Sequence, residues 1–122
     1  MTLQEIVAQC MRDSATWFPD KAFDLAFQTL SLCGEAGELA NKVKKVERGS
    51  DPANDLFPGI VEEAIDTFIY LMDVFAILGV DPEEAYHAKR ATNFRRFEPD
   101  PTTVGSGRPG VSGSVSGSPG EG

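Results

Sequence analysis

Apolar residues recur at intervals of three to four along most of the chain, which is the periodicity of amphipathic α-helices. Thr2 and Glu5 have the spacing of a capping box, and the apolar residues that follow them predict a first helix ending near Asp13. Pro19 disfavours helical backbone at Phe18, so the helical pattern is expected to break there.

A long second helix is predicted next, with Asp20 as its expected N-cap and Gly49 as its stop. Its apolar residues keep a helical spacing over this whole length. Basic residues crowd its C-terminal end, where positive charge suits the helix dipole: Lys42, Lys44, Lys45 and Arg48.

Residues 49–59 are rich in proline and glycine and predict a connecting loop. A third helix is expected to begin near Ile60 and to end at Gly79. Its apolar residues cover so wide an arc that the helix needs neighbours on two sides. Self-association of the chain is one way to supply them.

A fourth helix is predicted to begin after Asp81, with Pro82 in its first turn, and to run to about Arg96. The fold predicted from these elements is all-α, an antiparallel four-helix bundle over residues 1–98 that oligomerisation completes. Residues 99–122 are mainly Gly, Ser and Pro and are expected to form a disordered tail.

The 122-residue chain has a formal net charge of −8, which argues against nucleic acids and anionic membranes as partners because both attract basic surfaces. Cys10 and Cys33 fall on apolar helical positions, so both are expected to be reduced core residues. The first residues do not resemble a signal peptide, and no apolar run reaches membrane-spanning length. The expected location is the cytoplasm.

Two pairs of acidic residues interrupt the apolar pattern of consecutive helices. Glu35 and Glu38 form one pair, and Glu63 and Asp66 form the other. Residues three positions apart lie about 60° apart around a helix, so each pair shares one face. If the two faces meet, four carboxylates collect in one cleft and need a cation, for which oxygen ligands favour Mg²⁺ or Mn²⁺. The alternative is two ordinary solvated acidic faces.

Two glycines accompany the first acid pair inside its helix, one before it and one between its two acids. Gly34 and Gly37 each cost about 1 kcal/mol relative to alanine at such positions. They therefore indicate close approach by another helix or by a ligand.

Three segments together resemble the all-α nucleoside triphosphate pyrophosphohydrolases of the MazG-like superfamily, and most closely its small dCTPase-type branch. These segments are Gly34-Glu35-x-x-Glu38-Leu39, Glu62-Glu63-x-x-Asp66 and Lys89-x-x-x-Asn93. The resemblance covers roughly residues 17–97. It implies hydrolysis of a nucleotide between its α and β phosphates, with Mg²⁺ ions bound by Glu35, Glu38, Glu63 and Asp66.

The same resemblance assigns residues to the substrate. It implies that Lys89 and Asn93 contact the phosphates and sugar, that Arg96 adds a phosphate contact, and that Tyr70 packs on the base or sugar. Trp17, beside Phe18, stands where related enzymes carry aromatic residues that stack on the base. The residues around Trp17 depart from the dCTPase pattern, so the resemblance does not extend to the choice of base.

Three further polar residues lie near the predicted site, and for each of them solvent exposure without a functional role is a possible interpretation. Glu62 points about 100° away from Glu63 and is either a water-orienting neighbour of the acids or simply exposed. Gln28 is expected to be solvated, with the reading of a base edge as the alternative. His87, the only histidine, is expected to be a surface imidazole.

Other functions share parts of this pattern. Phosphoribosyl-ATP pyrophosphohydrolase has a similar acid-pair pattern. That enzyme usually lacks aromatic residues at the positions of Trp17 and Phe18. A di-iron carboxylate site in a four-helix protein needs Glu-x-x-His pairs, and the single histidine has no such spacing. A non-catalytic helical dimerisation module would leave the acids as a simple cation site or without a ligand.

Overall fold

The computed structural model describes residues 1–49 and 53–97. They form four α-helices, α1 (Leu3–Trp17), α2 (Leu25–Glu47), α3 (Ala53–Leu78) and α4 (Pro82–Phe97). No β-strand occurs within these two ranges, so the predicted all-α class and the number of helices are confirmed. The predicted tail at 99–122 lies outside the described residues.

Helix α1 begins with the predicted capping box. The Thr2 Oγ1 atom accepts a hydrogen bond from the Glu5 backbone N–H at 3.1 Å, and Glu5 Oε1 accepts one from the Thr2 backbone N–H at 3.1 Å. The predicted end at Asp13 is wrong, because the helix continues to Trp17. The buried face of Val7 and Cys10 continues through Ser14, a polar residue that hid this extension in the sequence pattern.

Helix α2 is capped by Asp24 and not by Asp20 as predicted. The Asp24 Oδ1 atom accepts a hydrogen bond from the Phe27 N–H at 3.0 Å. Turns take up the residues before it, where the N–H groups of Lys21 and Ala22 donate to the Phe18 carbonyl. Ala22 is fully buried, which fixes this turn against the chain and moves the start of the helix. Gly49, with φ of 69°, follows the helix as predicted.

Helix α3 begins at Ala53, so the predicted loop over 49–59 is wrong from residue 53 onward. Pro58 lies inside the helix. Pro58 is the sixth residue of the helix, where it removes one backbone hydrogen bond and its ring crowds the carbonyl four residues earlier, which is why the sequence pattern predicted a loop there. Gly79, with φ of 67°, ends the helix as predicted.

The apolar core lies between α1 and α3, and α3 packs against α2 as well. Val7, Cys10 and Met72 are buried, with Phe68 and Phe75 among the side chains packed on them. The wide apolar arc of α3 therefore has the two neighbours that it was predicted to need. Cys33 is an exception to the predicted core, because it is exposed on α2 while Cys10 is buried; both are free thiols.

Helix α4 opens with the predicted cap, in which Asp81 Oδ1 accepts hydrogen bonds from the N–H groups of Glu83 at 3.0 Å and Glu84 at 3.4 Å. The chain divides into two units, Met1–Ala85 and a second that begins at Tyr86. Within the second unit, the Arg90 guanidinium lies 4.5 Å from the centre of the Phe94 ring. None of the helices in the described ranges has the length and apolarity needed to cross a membrane.

Candidate metal centre

Three of the four predicted acids come together between α2 and α3. Glu35, Glu63 and Asp66 each offer one carboxylate oxygen, and these oxygens all lie within 4.8 Å of one another. All three residues are half-buried. We call this set the acidic triad. Its spacing and its oxygen donors suit a hard divalent cation.

The packing of two helices creates the triad from residues that are distant in sequence. Glu63 and Asp66 share one face of α3 because they are three positions apart. Glu35 comes from α2, which packs along that face. Glu38 lies one turn further along α2, but its side chain is exposed and the triad does not include it.

The charges of the triad perturb one another. Burial, a hydrogen bond with Glu63 and the negative charges of Asp66, Glu63 and Glu38 all raise the pKa of Glu35. A hydrogen bond from Lys42 and a second one from Glu35 lower the pKa of Glu63, although desolvation opposes them. Of these two interacting acids, Glu35 therefore binds a proton more readily than Glu63.

Lys42 is a member of this site that was not predicted from the sequence. Its Nζ atom lies 2.8 Å from Glu63 Oε2, in an ion pair whose side chains are 29% and 14% exposed. Its hydrogen bond to Glu63 raises the pKa of Lys42. The sequence spacing could have predicted this position, because Lys42 follows Glu35 by two helical turns and so lies on the same face of α2.

Gly59 makes room for the Lys42 side chain. A Cβ atom at position 59 would lie 3.1 Å from Lys42 Nζ and 3.4 Å from Lys42 Cδ. By contrast, a Cβ atom at Gly34 or Gly37 would meet nothing within 4 Å. The expectation that these two α2 glycines allow close approach is therefore not met by any neighbour within the described chain.

A cavity of about 230 Å³ adjoins the triad, and Asp66 belongs to both. The α3 side of the cavity is formed by residues on successive turns of one helix face: Asp66, Ile69, Tyr70 and Asp73. The predicted substrate residue Tyr70 therefore lies beside a member of the triad.

Helix α1 and the residue after it form the other side of the cavity. The lining residues there are Cys10, Ser14, Trp17 and Phe18. Trp17, predicted to contact the substrate, is 64% exposed and lies at the cavity with one side open to solvent. The structure thus brings Trp17, Tyr70 and Asp66 around one space.

A buried polar cluster of Ser14, Gln28 and Asp73 adjoins the cavity, and two of its members, Ser14 and Asp73, line it. Gln28 Nε2 donates to Ser14 Oγ at 2.9 Å and to the Ala22 carbonyl at 3.0 Å. Gln28 is fully buried, so its expected solvation is wrong. Asp73, on α3, is 2% exposed and lies close to Ser14, and it was not among the residues predicted for a site.

The other predicted substrate residues lie on α4, in the unit that begins at Tyr86. Lys89 and Arg96 are exposed and Asn93 is half-buried. His87 is exposed as predicted, with its ring 5.3 Å from the Tyr86 ring, and Glu62 on α3 is exposed as well.

Comparisons with known proteins identified no relative of this chain. A scan against protein-family models gave no match, and neither the curated proteins nor the solved structures gave a significant one.

Proposed function

We propose that the protein is a Mg²⁺-dependent pyrophosphohydrolase that cleaves a nucleoside triphosphate, ribo or deoxyribo, to the monophosphate and pyrophosphate. The observation that carries this proposal is the convergence of Glu35, Glu63 and Asp66 from two helices. It agrees with the acid-pair pattern on which the resemblance to the MazG-like enzymes rests. Mn²⁺ satisfies the same oxygen donors.

The electrostatics of the triad support a cation. Three carboxylates so close together repel one another, and Lys42 offsets only part of that charge through Glu63. Bound Mg²⁺ would neutralise the triphosphate, polarise the phosphorus under attack and activate a water molecule. Glu35, Glu63 and Asp66 would hold it, and Glu38, whose charge acts on Glu35, would join them through a rotation of its exposed side chain.

The cavity supports a nucleotide as the substrate. Its volume of about 230 Å³ is below the usual range of sites for drug-sized ligands, and so suits a single heterocycle. Because Asp66 lies at both the triad and the cavity, a nucleotide with its phosphates at the triad would place its nucleoside between Trp17 and Tyr70. Both aromatic side chains can pack on a ring.

Lys89 and Arg96 supply positive charge for the phosphates, and Asn93 contacts the sugar. The domain has the MazG-type arrangement and works in the cytoplasm as a homo-oligomer. The exposed apolar side chains of α2 and α3 favour self-association, since Leu30 is 71% and Ile65 52% exposed.

³¹P NMR of the purified protein with Mg²⁺ and a panel of nucleoside triphosphates tests this function, because it distinguishes pyrophosphate from single phosphate. The expected result is monophosphate plus pyrophosphate from at least one substrate, with loss of turnover in Asp66→Asn and on chelation of the metal. Release of orthophosphate alone would contradict the reaction class. No turnover of any substrate would favour the helical dimerisation module instead.

A further inference from the structure

The buried carboxylate of Asp73 is the feature that the proposed reaction leaves without a role. Asp73 lies two turns of α3 from Asp66 and lines the same cavity, yet it does not belong to the acidic triad. Its Oδ1 atom is buried and has no hydrogen-bond partner in the described chain. A carboxylate is a costly group to bury with an oxygen left free, so this atom requires an explanation.

Hydrogen bonds fix the direction in which this cluster can bind a ligand. The Gln28 amide donates to Ser14 Oγ, and the Ser14 hydroxyl lies close to the Asp73 carboxylate. Since Ser14 Oγ already accepts from Gln28, its own proton is free to point toward Asp73. The Ser14 proton is then directed at one oxygen of Asp73, and the buried Oδ1 is left without a donor in a residue that lines the cavity.

We propose that Asp73 determines the base specificity of the nucleotide site by accepting a hydrogen bond from an exocyclic amino group of the base. The preferred substrates are therefore nucleotides of amino-bearing bases, such as cytosine and adenine, over those of uracil and thymine. This inference rests on the proposed function for the phosphates of the ligand. The choice of base rests on the cavity alone.

The chemistry of the base edges explains the preference. An ionised carboxylate only accepts hydrogen bonds, so it pairs with an amino group and repels a carbonyl oxygen. Uracil and thymine carry one ring N–H on this edge, flanked on both sides by carbonyl oxygens. The carboxylate therefore meets at least one repelling oxygen when either of these bases occupies the cavity.

The position of Asp73 suits this role geometrically. Trp17 and Tyr70 line the same cavity and can hold the flat faces of a ring, while Asp73 lies at its buried side and meets the ring edge. The last torsion of an aspartate is soft, so a small rotation turns Oδ1 toward a donor in the cavity. A hydrogen bond to a charged group changes affinity by about tenfold or more.

Nucleoside binding to the full chain tests the inference without any turnover. Trp17 is the only tryptophan, so quenching of its fluorescence reports ligands in the cavity. At pH 8, cytidine and adenosine are expected to bind at least about tenfold more tightly than uridine and thymidine. Equal or tighter binding of uridine and thymidine overturns the proposal, as does the absence of quenching by all four at millimolar concentration.

Two amide variants identify the residue responsible. Asp73→Asn keeps the shape but presents an N–H donor as well as an acceptor, so the preference for amino-bearing bases is expected to fall to about twofold or less. Asp13→Asn, an equal change on α1 outside the cavity lining, is expected to keep the full preference. A folded Asp73→Asn protein with the wild-type preference overturns the assignment, and circular dichroism establishes that it is folded.

Turnover of dCTP and dUTP with Mg²⁺ distinguishes this inference from the proposed reaction. Faster cleavage of dCTP, with the ratio lost in Asp73→Asn, supports both. Equal cleavage of the two, together with no nucleoside preference, supports the reaction and overturns the role of Asp73. A nucleoside preference without cleavage of any triphosphate supports the role of Asp73 and counts against the reaction.

Discussion

Lys42 Nζ lies 2.8 Å from Glu63 Oε2, so a lysine from α2 provides a positive charge at the edge of the acidic triad. A divalent cation bound by Glu63 competes with this lysine for the same carboxylate. Lys42 therefore has two opposed effects in the proposed enzyme. It stabilises the metal-free protein and weakens the first binding of metal.

Replacing Lys42 with methionine removes the competing charge but keeps most of the apolar stem. The variant is expected to bind Mg²⁺ about two- to fivefold more tightly, because one partly exposed ion pair contributes that much to affinity. In the presence of a chelator it is expected to melt at a lower temperature than the wild type. Titration of the melting temperature with Mg²⁺ measures both effects. Lys44→Met, on an exposed part of the same helix, is the matched control. Weaker Mg²⁺ binding by Lys42→Met would contradict this prediction and would mean that Lys42 stabilises the Mg²⁺-bound protein.

The raised pKa of Glu35 predicts how stability without metal depends on pH. Burial, the hydrogen bond with Glu63 and the nearby acids make the folded protein bind a proton at Glu35 more tightly than the unfolded chain does. The stabilising effect of this proton is present below the unfolded pKa and is lost as the pH rises through the folded pKa. Glu35→Gln is therefore expected to raise the melting temperature in a chelator at pH 8 and to change it little at pH 4.

Thermal unfolding monitored by circular dichroism at the two pH values measures this difference. Glu62→Gln serves as the control, because Glu62 is an exposed acid next to the triad and outside it. A similar rise at pH 8 in both variants would mean that general repulsion in this acidic chain, and not the triad, is responsible.

The helix ends could be predicted from sequence where capping is local. Thr2 and Asp81 cap their helices through side chains that reach only two or three residues along the chain. The start of α2 could not be predicted in this way, because Asp20 and Asp24 are both able to cap. The burial of Ala22 in the preceding turn decides between them, and burial depends on the tertiary fold.

In the candidate site, too, local spacing could be predicted from sequence, whereas features that depend on helix packing could not. The pairing of Glu63 with Asp66 follows from their spacing on one helix. The exclusion of Glu38 and the entry of Lys42 depend on how α2 is rotated against α3, which helical periodicity leaves free by tens of degrees. Asp73 was missed because a single acid in an apolar stretch carries no pattern of its own.

The contrast between Asp66 and Glu38 predicts unequal losses of activity. Asp66→Asn removes a member of the triad that also lines the cavity, so kcat/KM is expected to fall at least about 100-fold. Glu38→Gln changes an exposed side chain outside the triad and is expected to cost less, about tenfold. Steady-state pyrophosphate release at saturating Mg²⁺ measures both. A larger loss from Glu38→Gln would place Glu38 among the principal metal ligands.

Burial of Asp73 predicts a second dependence of stability on pH. Desolvation raises its pKa to about 6, with a further contribution from Asp13 on α1, while the hydrogen bond from Ser14 opposes the shift. The adjacent Cys10 thiol also has a raised pKa, through burial and the charges of Asp73 and Asp13, so it stays neutral over this range. Stability is therefore lost as the pH rises from about 4 to about 6, by up to about 3 kcal/mol.

Asp73→Asn removes this loss because the amide does not ionise. The variant is expected to be more stable than the wild type above pH 6 and to differ little at pH 4, as measured by urea unfolding at several pH values. Asp13→Asn, which leaves the buried carboxylate in place, is expected to recover only a small part of the difference. A variant that is less stable at every pH would show that the carboxylate is needed for the fold.

Gly37 allows a test of whether a second copy covers α2. Within the described chain a Cβ atom at this position meets nothing within 4 Å, so Gly37→Ala is expected to stabilise the helix by about 0.5–1 kcal/mol. A partner helix packed closely on the glycine would clash with the new methyl group. If the proposed homo-oligomer forms over this face of α2, it is expected to dissociate more readily in Gly37→Ala, as measured by sedimentation over a dilution series. Unchanged association together with a higher melting temperature would exclude this face of α2 from the interface.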